Sequence, residues 1–166
     1  MQVGTLILLS GKMGAGKSTK SKQVAFDRNA VLISEDEWLS ILYSDQIKTF
    51  DDYIHYSSII KPLVKSHVVN ILRTGVDVVM DFPANTTKQR SWFKGIIEEG
   101  NALHELIYLK VTDEICLERI EKRRIEQPKR AMYDTEEMFN KVTEYFQEPN
   151  SSEGFNIKVM EKTHNK

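Results

Sequence analysis

Gly11-Lys12-Met13-Gly14-Ala15-Gly16-Lys17-Ser18 carries the most specific chemistry in the chain. It satisfies the pattern GxxxxGK[ST] at every fixed position, directly after an apolar run and directly before helical pattern, which is the setting a phosphate-binding P-loop requires. Glycines let the backbone approach an anion and turn so that successive N–H groups point inward. Lys17 then places a compact charge against the β- and γ-phosphates, Ser18 offers a hydroxyl to Mg²⁺, and the helix starting near Gly16 adds its positive end. Gly11, Met13, Gly14, Ala15, Gly16, Lys17, Ser18 and Thr19 are therefore the expected contacts of bound ATP, with Mg²⁺ as its companion ion. Lys12 and Lys20 flank the loop as ordinary solvated charges.

Carboxylates follow at two later strand ends. Ala30-Val31-Leu32-Ile33 leads into Ser34-Glu35-Asp36-Glu37, and Val76-Asp77-Val78-Val79-Met80 ends in Asp81. Acids in the first turn of a helix need no function, since each gains about 0.3–1 kcal/mol from the dipole alone. Topology argues for more, because the carboxyl ends of parallel strands open onto one edge of the sheet. Asp81 closes an apolar run as a Walker B acid does and is expected to hold Mg²⁺ with Ser18. Asp77 lies inside that run and reads as a strand-entry or solvent-facing residue. Beyond Asp81 comes the loop Phe82-Pro83-Ala84-Asn85-Thr86, where Asn85 suits either a helix cap or a substrate contact, and Arg90 follows on the next helix. Asp36, Asp81, Asn85 and Arg90 are the expected substrate side. Residues 119–130 hold six basic side chains, of which Arg119 and Arg123, four apart, share a helix face and suit the bracing of a polyphosphate.

These residues need a frame that brings strand ends together. Short aliphatic runs at 3–9, 30–33, 76–80, 103–109 and 155–160 alternate with longer helical stretches. This βαβαβαβαβ order predicts an α/β fold with a mostly parallel sheet covered by helices on both faces. Ser34 with Glu37 reads as a capping box, Thr112 and Asp134 as helix caps, and Gly75 and Gly100 as left-handed helix exits. Positions 51–74 form the longest helical stretch, and Pro62 inside it predicts a kink or two helices. The chain has 166 residues with 40% hydrophobic and 28% charged, which suits one domain over 1–166.

Lys plus Arg total 23 against 24 for Asp plus Glu, so no global charge draws the chain to nucleic acid or an acidic membrane. The single cysteine, Cys116, excludes an intrachain disulfide and a cysteine metal cluster. No apolar run is long enough to span a bilayer and no basic leader precedes Val3 to Leu9, so a cytoplasmic setting is expected. The four histidines show no ligand spacing, so Mg²⁺ is the one metal implied. Oligomeric state has no signature here.

Taken together, Gly11 to Ser18, Asp36 in Ile33-Ser34-Glu35-Asp36-Glu37-Trp38, Asp81-Phe82-Pro83-Ala84-Asn85-Thr86, and Arg119 with Arg123 resemble the P-loop kinases related to polynucleotide 5′-kinase, zeta toxin and chloramphenicol phosphotransferase. The likeness spans nearly the whole chain. It implies a three-layer P-loop fold with a five-stranded sheet in the order 2-3-1-4-5 and a lid at about 119–135. It also implies that Asp36 is the base for an acceptor hydroxyl, that the lid arginines contact ATP phosphates, and that Lys17, Asp36, Arg119 and Arg123 carry catalysis. In the nucleic-acid kinases of this group an arginine that grips substrate phosphate stands three residues after the base. Leu39 occupies that place here, which favours a small-molecule or nucleotide-like acceptor over a polynucleotide 5′-hydroxyl. An ATPase or ATP-driven switch, with water as acceptor, and an ATP-binding module without catalysis are the other readings the loop allows.

Overall fold

A computed structural model describes residues 2–164. Five strands, β1 (Thr5–Ser10), β2 (Val31–Ser34), β3 (Val78–Asp81), β4 (Leu103–Val111) and β5 (Ile157–Lys162), form one sheet in the order β2-β3-β1-β4-β5. Every pairing is parallel, and Leu8 of β1 lies between Met80 of β3 and Leu106 of β4. The central strand is apolar throughout because both of its faces are covered. Leu6 and Leu8 enter one core cluster while Ile7 and Leu9 enter the other, which is the period-two alternation of a strand read from two sides.

Helices α3 (Phe50–Arg73) and α4 (Thr87–Gly100) pack on the first face, bringing Ile60, Val64, Val68, Leu72, Phe93 and Ile96. Helices α1 (Lys17–Asp27), α5 (Asp113–Glu126) and α6 (Glu136–Thr143) contribute Ala25, Cys116, Ile120 and Phe139 to the second. The short α2 (Glu35–Leu42) follows β2 and buries Leu39 in the first cluster. After α6 the chain crosses the sheet edge, since Phe139 lies on the second face and Phe146 and Phe155 on the first.

Local chemistry sets most element ends, with several departures from the sequence reading. Ser34 caps α2 by accepting the Glu37 N–H at 3.5 Å, the forward half of the expected box. Full capping boxes occur instead at Thr49 with Asp52 and at Thr86 with Gln89. Gly75 turns out of α3 at φ 88°, as expected, but Gly100 stays helical and Asn101 takes the left-handed exit at φ 47°. Asparagine tolerates that conformation well enough to replace glycine. Thr112 precedes α5 without a side-chain cap bond, and α6 is capped by Thr135 instead of Asp134. Pro62 divides nothing: α3 is one helix. Proline removes a donor to the carbonyl four residues back, and that residue, Ser58, is exposed, so water can serve it.

Gly4 has a strict packing reason, because a Cβ there would lie 2.0 Å from the Val76 carbonyl oxygen. Asp77 is a strand-entry residue whose Oδ1 accepts the Thr5 N–H at 2.7 Å and whose Oδ2 pairs with Arg28. Among the described residues no helix is long and apolar enough to cross a membrane, and no group of His, Cys, Asp and Glu assembles into a metal cluster.

Candidate nucleotide and phosphoryl-transfer site

β1 delivers its chain to the carboxyl edge of the sheet, and the backbone then wraps through residues 11–16 into α1. Gly14 at φ 79° and Gly16 at φ 96° make the turn in left-handed conformations that a side chain disfavours. Space enforces the same choice at Gly14, where a Cβ would lie 2.6 Å from the Cys116 carbonyl oxygen. Cys116 is accordingly a buried packing residue beneath the loop, its thiol pushed up chiefly by burial. Lys12 is held by Asp113 of α5 at 2.6 Å, outside the cradle.

Lys17 folds back over the loop, donating to the carbonyls of Gly11 at 2.5 Å and Lys12 at 2.9 Å. The residue is half-buried. Burial lowers its pKa from 10.5 to about 8, against the raising effect of Asp81, and Arg123 adds to the lowering. A cation coordinated by its own loop fits an anionic ligand, which would favour the charged form and raise its pKa again.

Asp81 lies one strand away and is half-buried, its carboxyl pushed up mainly by burial, while the Ser18 hydroxyl and Lys17 hold it down. A hydroxyl beside a carboxylate at the mouth of a phosphate loop is an oxygen donor set that suits Mg²⁺. Asp36 is exposed at the start of α2, and its charge reaches Lys17, Asp81 and Tyr53. β2 pairs with β3 so that Ser34 stands beside Asp81, which is how two acids 45 positions apart come to share one edge.

Arg119 donates from Nη1 to the Ala15 carbonyl at 2.9 Å and to that of Gly14 at 3.5 Å, so α5 meets the loop directly. Arg123, one turn on, forms a bidentate pair with Asp134. The helix ends at Glu126 and Pro128 opens a short 3₁₀ turn, Pro128–Arg130.

Two expected substrate contacts are placed elsewhere. Asn85 Oδ1 accepts the Gly11 N–H at 3.0 Å, and its own N–H is taken by Gln89, so it tethers the P-loop to the β3–α4 loop. Arg90 is wholly enclosed, bonded to the Ala84 carbonyl at 2.9 Å and to Glu153 at 2.7 Å, and braces the loop from beneath. The sequence reading also passed over Glu35, treated there as one of three dipole acids. It is 1% exposed, accepts from Tyr53 and from Ser57 at 2.7 Å, and locks α2 to α3 beside Asp36. Burial raises its pKa, with the two hydroxyls opposing. Its signal was faint: of three adjacent acids, only the one aligned with Leu39 on the inner helix face can be buried.

A parallel sheet in this order, with a glycine-rich loop, an acid at the end of β3 and helix-borne arginines at one edge, defines a P-loop NTPase-like fold. Residues 6–149 match the model of the family described as AAA domain (AAA_33), and the chain belongs to that family. No curated protein matches the sequence. Among solved structures, the chain is similar to a Chloroflexus aurantiacus protein at TM-score 0.75 and 18% identity, over 97% of this chain and 86% of that one. It is similar to Chaetomium thermophilum Kti12, solved with ADP-AlF3, at TM-score 0.68 and 16% identity, over 94% and 88%. The Mycobacterium tuberculosis APS kinase CysC, solved with AMPPNP and APS, gives TM-score 0.63 and 13% identity, over 99% and 92%. These likenesses confirm the fold expected from the sequence.

Proposed function

We propose that this chain is a single-domain phosphotransferase that moves the γ-phosphate of Mg·ATP to a hydroxyl of a small-molecule or nucleotide-like acceptor. The observation that carries this reading is the geometry of the loop itself: Gly14 and Gly16 turn left-handed between β1 and α1, Lys17 folds onto the Gly11 and Lys12 carbonyls, and Arg119 of α5 donates to the Ala15 carbonyl. In it, residues 11–19 hold the triphosphate, and Ser18 with Asp81 would hold Mg²⁺, which would supply neutralisation of phosphate charge. Asp36 takes the proton of the acceptor hydroxyl as that oxygen bonds to the γ-phosphorus and the bond to the bridging oxygen breaks, releasing ADP. Arg119 and Arg123, in a lid at about 119–135, meet charge that develops on the transferring group. Tyr133 within that segment already donates to the Lys48 carbonyl, at 3.2 Å, in the loop between α2 and α3.

The acceptor reading rests on charge. Leu39 is buried in the core and Arg90 is enclosed with Glu153, so neither supplies a phosphate clamp beside Asp36. The deciding experiment measures ADP release from Mg·ATP against nucleosides, sugars, sugar nucleotides, antibiotics and 5′-hydroxyl RNA or DNA. Stimulation by one class of alcohol with a phosphorylated product supports the reading. Equal turnover with no acceptor present makes water the acceptor and the chain an ATPase, and stimulation by nucleic-acid ends alone makes it a polynucleotide kinase.

A further inference from the structure

The segment after α5 encloses a charged group that the chemistry above does not use. Asp134 has no exposed surface, and two arginines meet its carboxylate. Arg123 donates from Nε to Oδ2 at 2.8 Å and from Nη2 to Oδ1 at 2.5 Å, and Arg130 donates from Nε to Oδ2 at 3.3 Å. A bidentate contact fixes the plane of a guanidinium as well as its position. It uses two of five N–H donors, leaving both on Nη1 and one on Nη2 for an anion.

A second buried ion pair in the molecule shows the contrast. In Arg90–Glu153 the arginine side chain is 0% exposed and the acid is at the rim, as suits a brace for the fold. In Arg123–Asp134 the order is reversed, with the acid at 0% and the arginine side chain at 30%. The exposed partner also stands on the face of α5 whose preceding turn, at Arg119, touches the P-loop carbonyls.

We propose that Asp134 is a positioning residue for phosphoryl transfer, holding the Arg123 guanidinium in the plane that meets the transferring phosphoryl group. The proposal rests on the phosphotransferase reading and deepens it. A long side chain is set before nucleotide arrives, so its ordering is not required during reaction. Arg130 shares Oδ2 of the same carboxylate with Arg123, which ties the 3₁₀ turn and the start of α6 to that setting. Arg123 therefore needs no release from Asp134 to act.

The test compares binding of Mg·ADP alone with Mg·ADP plus aluminium fluoride, a mimic of the transferring group, by calorimetry on the full chain. Asp134→Asn is expected to keep Mg·ADP affinity within about twofold while losing on the order of tenfold or more of the fluoride-dependent gain. In an Arg123→Ala background, Asp134→Asn is expected to add nothing, because the carboxylate acts through that arginine. Equal weakening of Mg·ADP with and without fluoride, or an effect that persists in the Arg123→Ala background, overturns the proposal and leaves Asp134 a structural anchor. A parent chain that binds Mg·ADP with no fluoride gain overturns it as well. A parent that fails to bind Mg·ADP sinks the nucleotide reading first and the proposal with it. Should Asp134→Asn not fold, Arg123→Lys replaces it: a retained charge without a fixed plane must lose the same fluoride gain, and full retention refutes positioning.

Discussion

Binding of Mg·ATP should draw a proton from solution above neutral pH, and Lys17 sets the amount. Burial holds its pKa at about 8, below the ordinary 10.5, so the free protein begins to lose this charge just where most lysines keep theirs. Phosphate oxygens against the ammonium favour the charged form and return the pKa upward. At about pH 8.5 roughly one quarter of free chains carry the charge if the pKa is about 8, so each binding event takes up roughly three quarters of a proton. At about pH 7 roughly nine tenths are already charged, and uptake falls to about a tenth of a proton. Affinity must therefore decline as pH rises through and beyond about 8. Titration calorimetry with a non-hydrolysable ATP analogue, repeated in two buffers of different ionisation enthalpy, reads the uptake directly. Lys17→Arg is the control, since arginine stays charged throughout this range and should remove the pH-dependent part. Uptake that is the same at both pH values, or that survives in Lys17→Arg, would refute the assignment of Lys17 as the enclosed phosphate-binding cation.

Lys17→Ala should abolish measurable Mg·ATP binding with a near-parental thermal transition, because the ammonium bonds only loop carbonyls; retained affinity in calorimetry would contradict the P-loop assignment. Asp36→Asn should spare ATP binding and lower transfer by about 10²–10⁴, whereas turnover within a fewfold of the parent would make Asp36 a helix-terminus acid. Gly4→Ala should destabilise by about 1–3 kcal/mol in denaturant unfolding, since its Cβ would lie 2.0 Å from the Val76 carbonyl oxygen; a stability equal to the parent would mean that the edge yields freely. Glu35 has a raised folded pKa, so the stability it contributes is present below its unfolded pKa and is lost as pH rises toward the folded value. Stability curves of the parent and Glu35→Gln should therefore differ in slope just above the ordinary carboxylate range, with the parent falling more steeply, and parallel curves would exclude Glu35 as the source. Asp81 titrates in the same direction and stays in both chains, so it cancels from the comparison.

What the sequence by itself determined is what depends on neighbours in the chain. Gly14 and Gly16 announce left-handed turns, Lys17 and Ser18 sit at fixed offsets from them, and strand and helix periods follow from residues a few positions apart. Those local rules yielded the α/β alternation, the edge of the sheet that carries the site, and the acids Asp36 and Asp81 at strand ends. The resemblance supplied the strand order, which the sheet bears out. Only the tertiary structure decided which polar groups face inward. Asn85 could cap a helix or meet a substrate by its type; it accepts from Gly11 because β3 pairs beside β1, 74 residues away in sequence. Arg90 was expected on the substrate side, but Glu153, 63 residues on, pairs with it in the interior. Asp134 read as a cap, but Thr135 fills that role and frees the carboxylate for Arg123 and Arg130. The physical reason is common to all three. A side chain's type fixes what it can bond, whereas burial and the partner's position fix what it does bond, and both are set by contacts between residues remote in the chain.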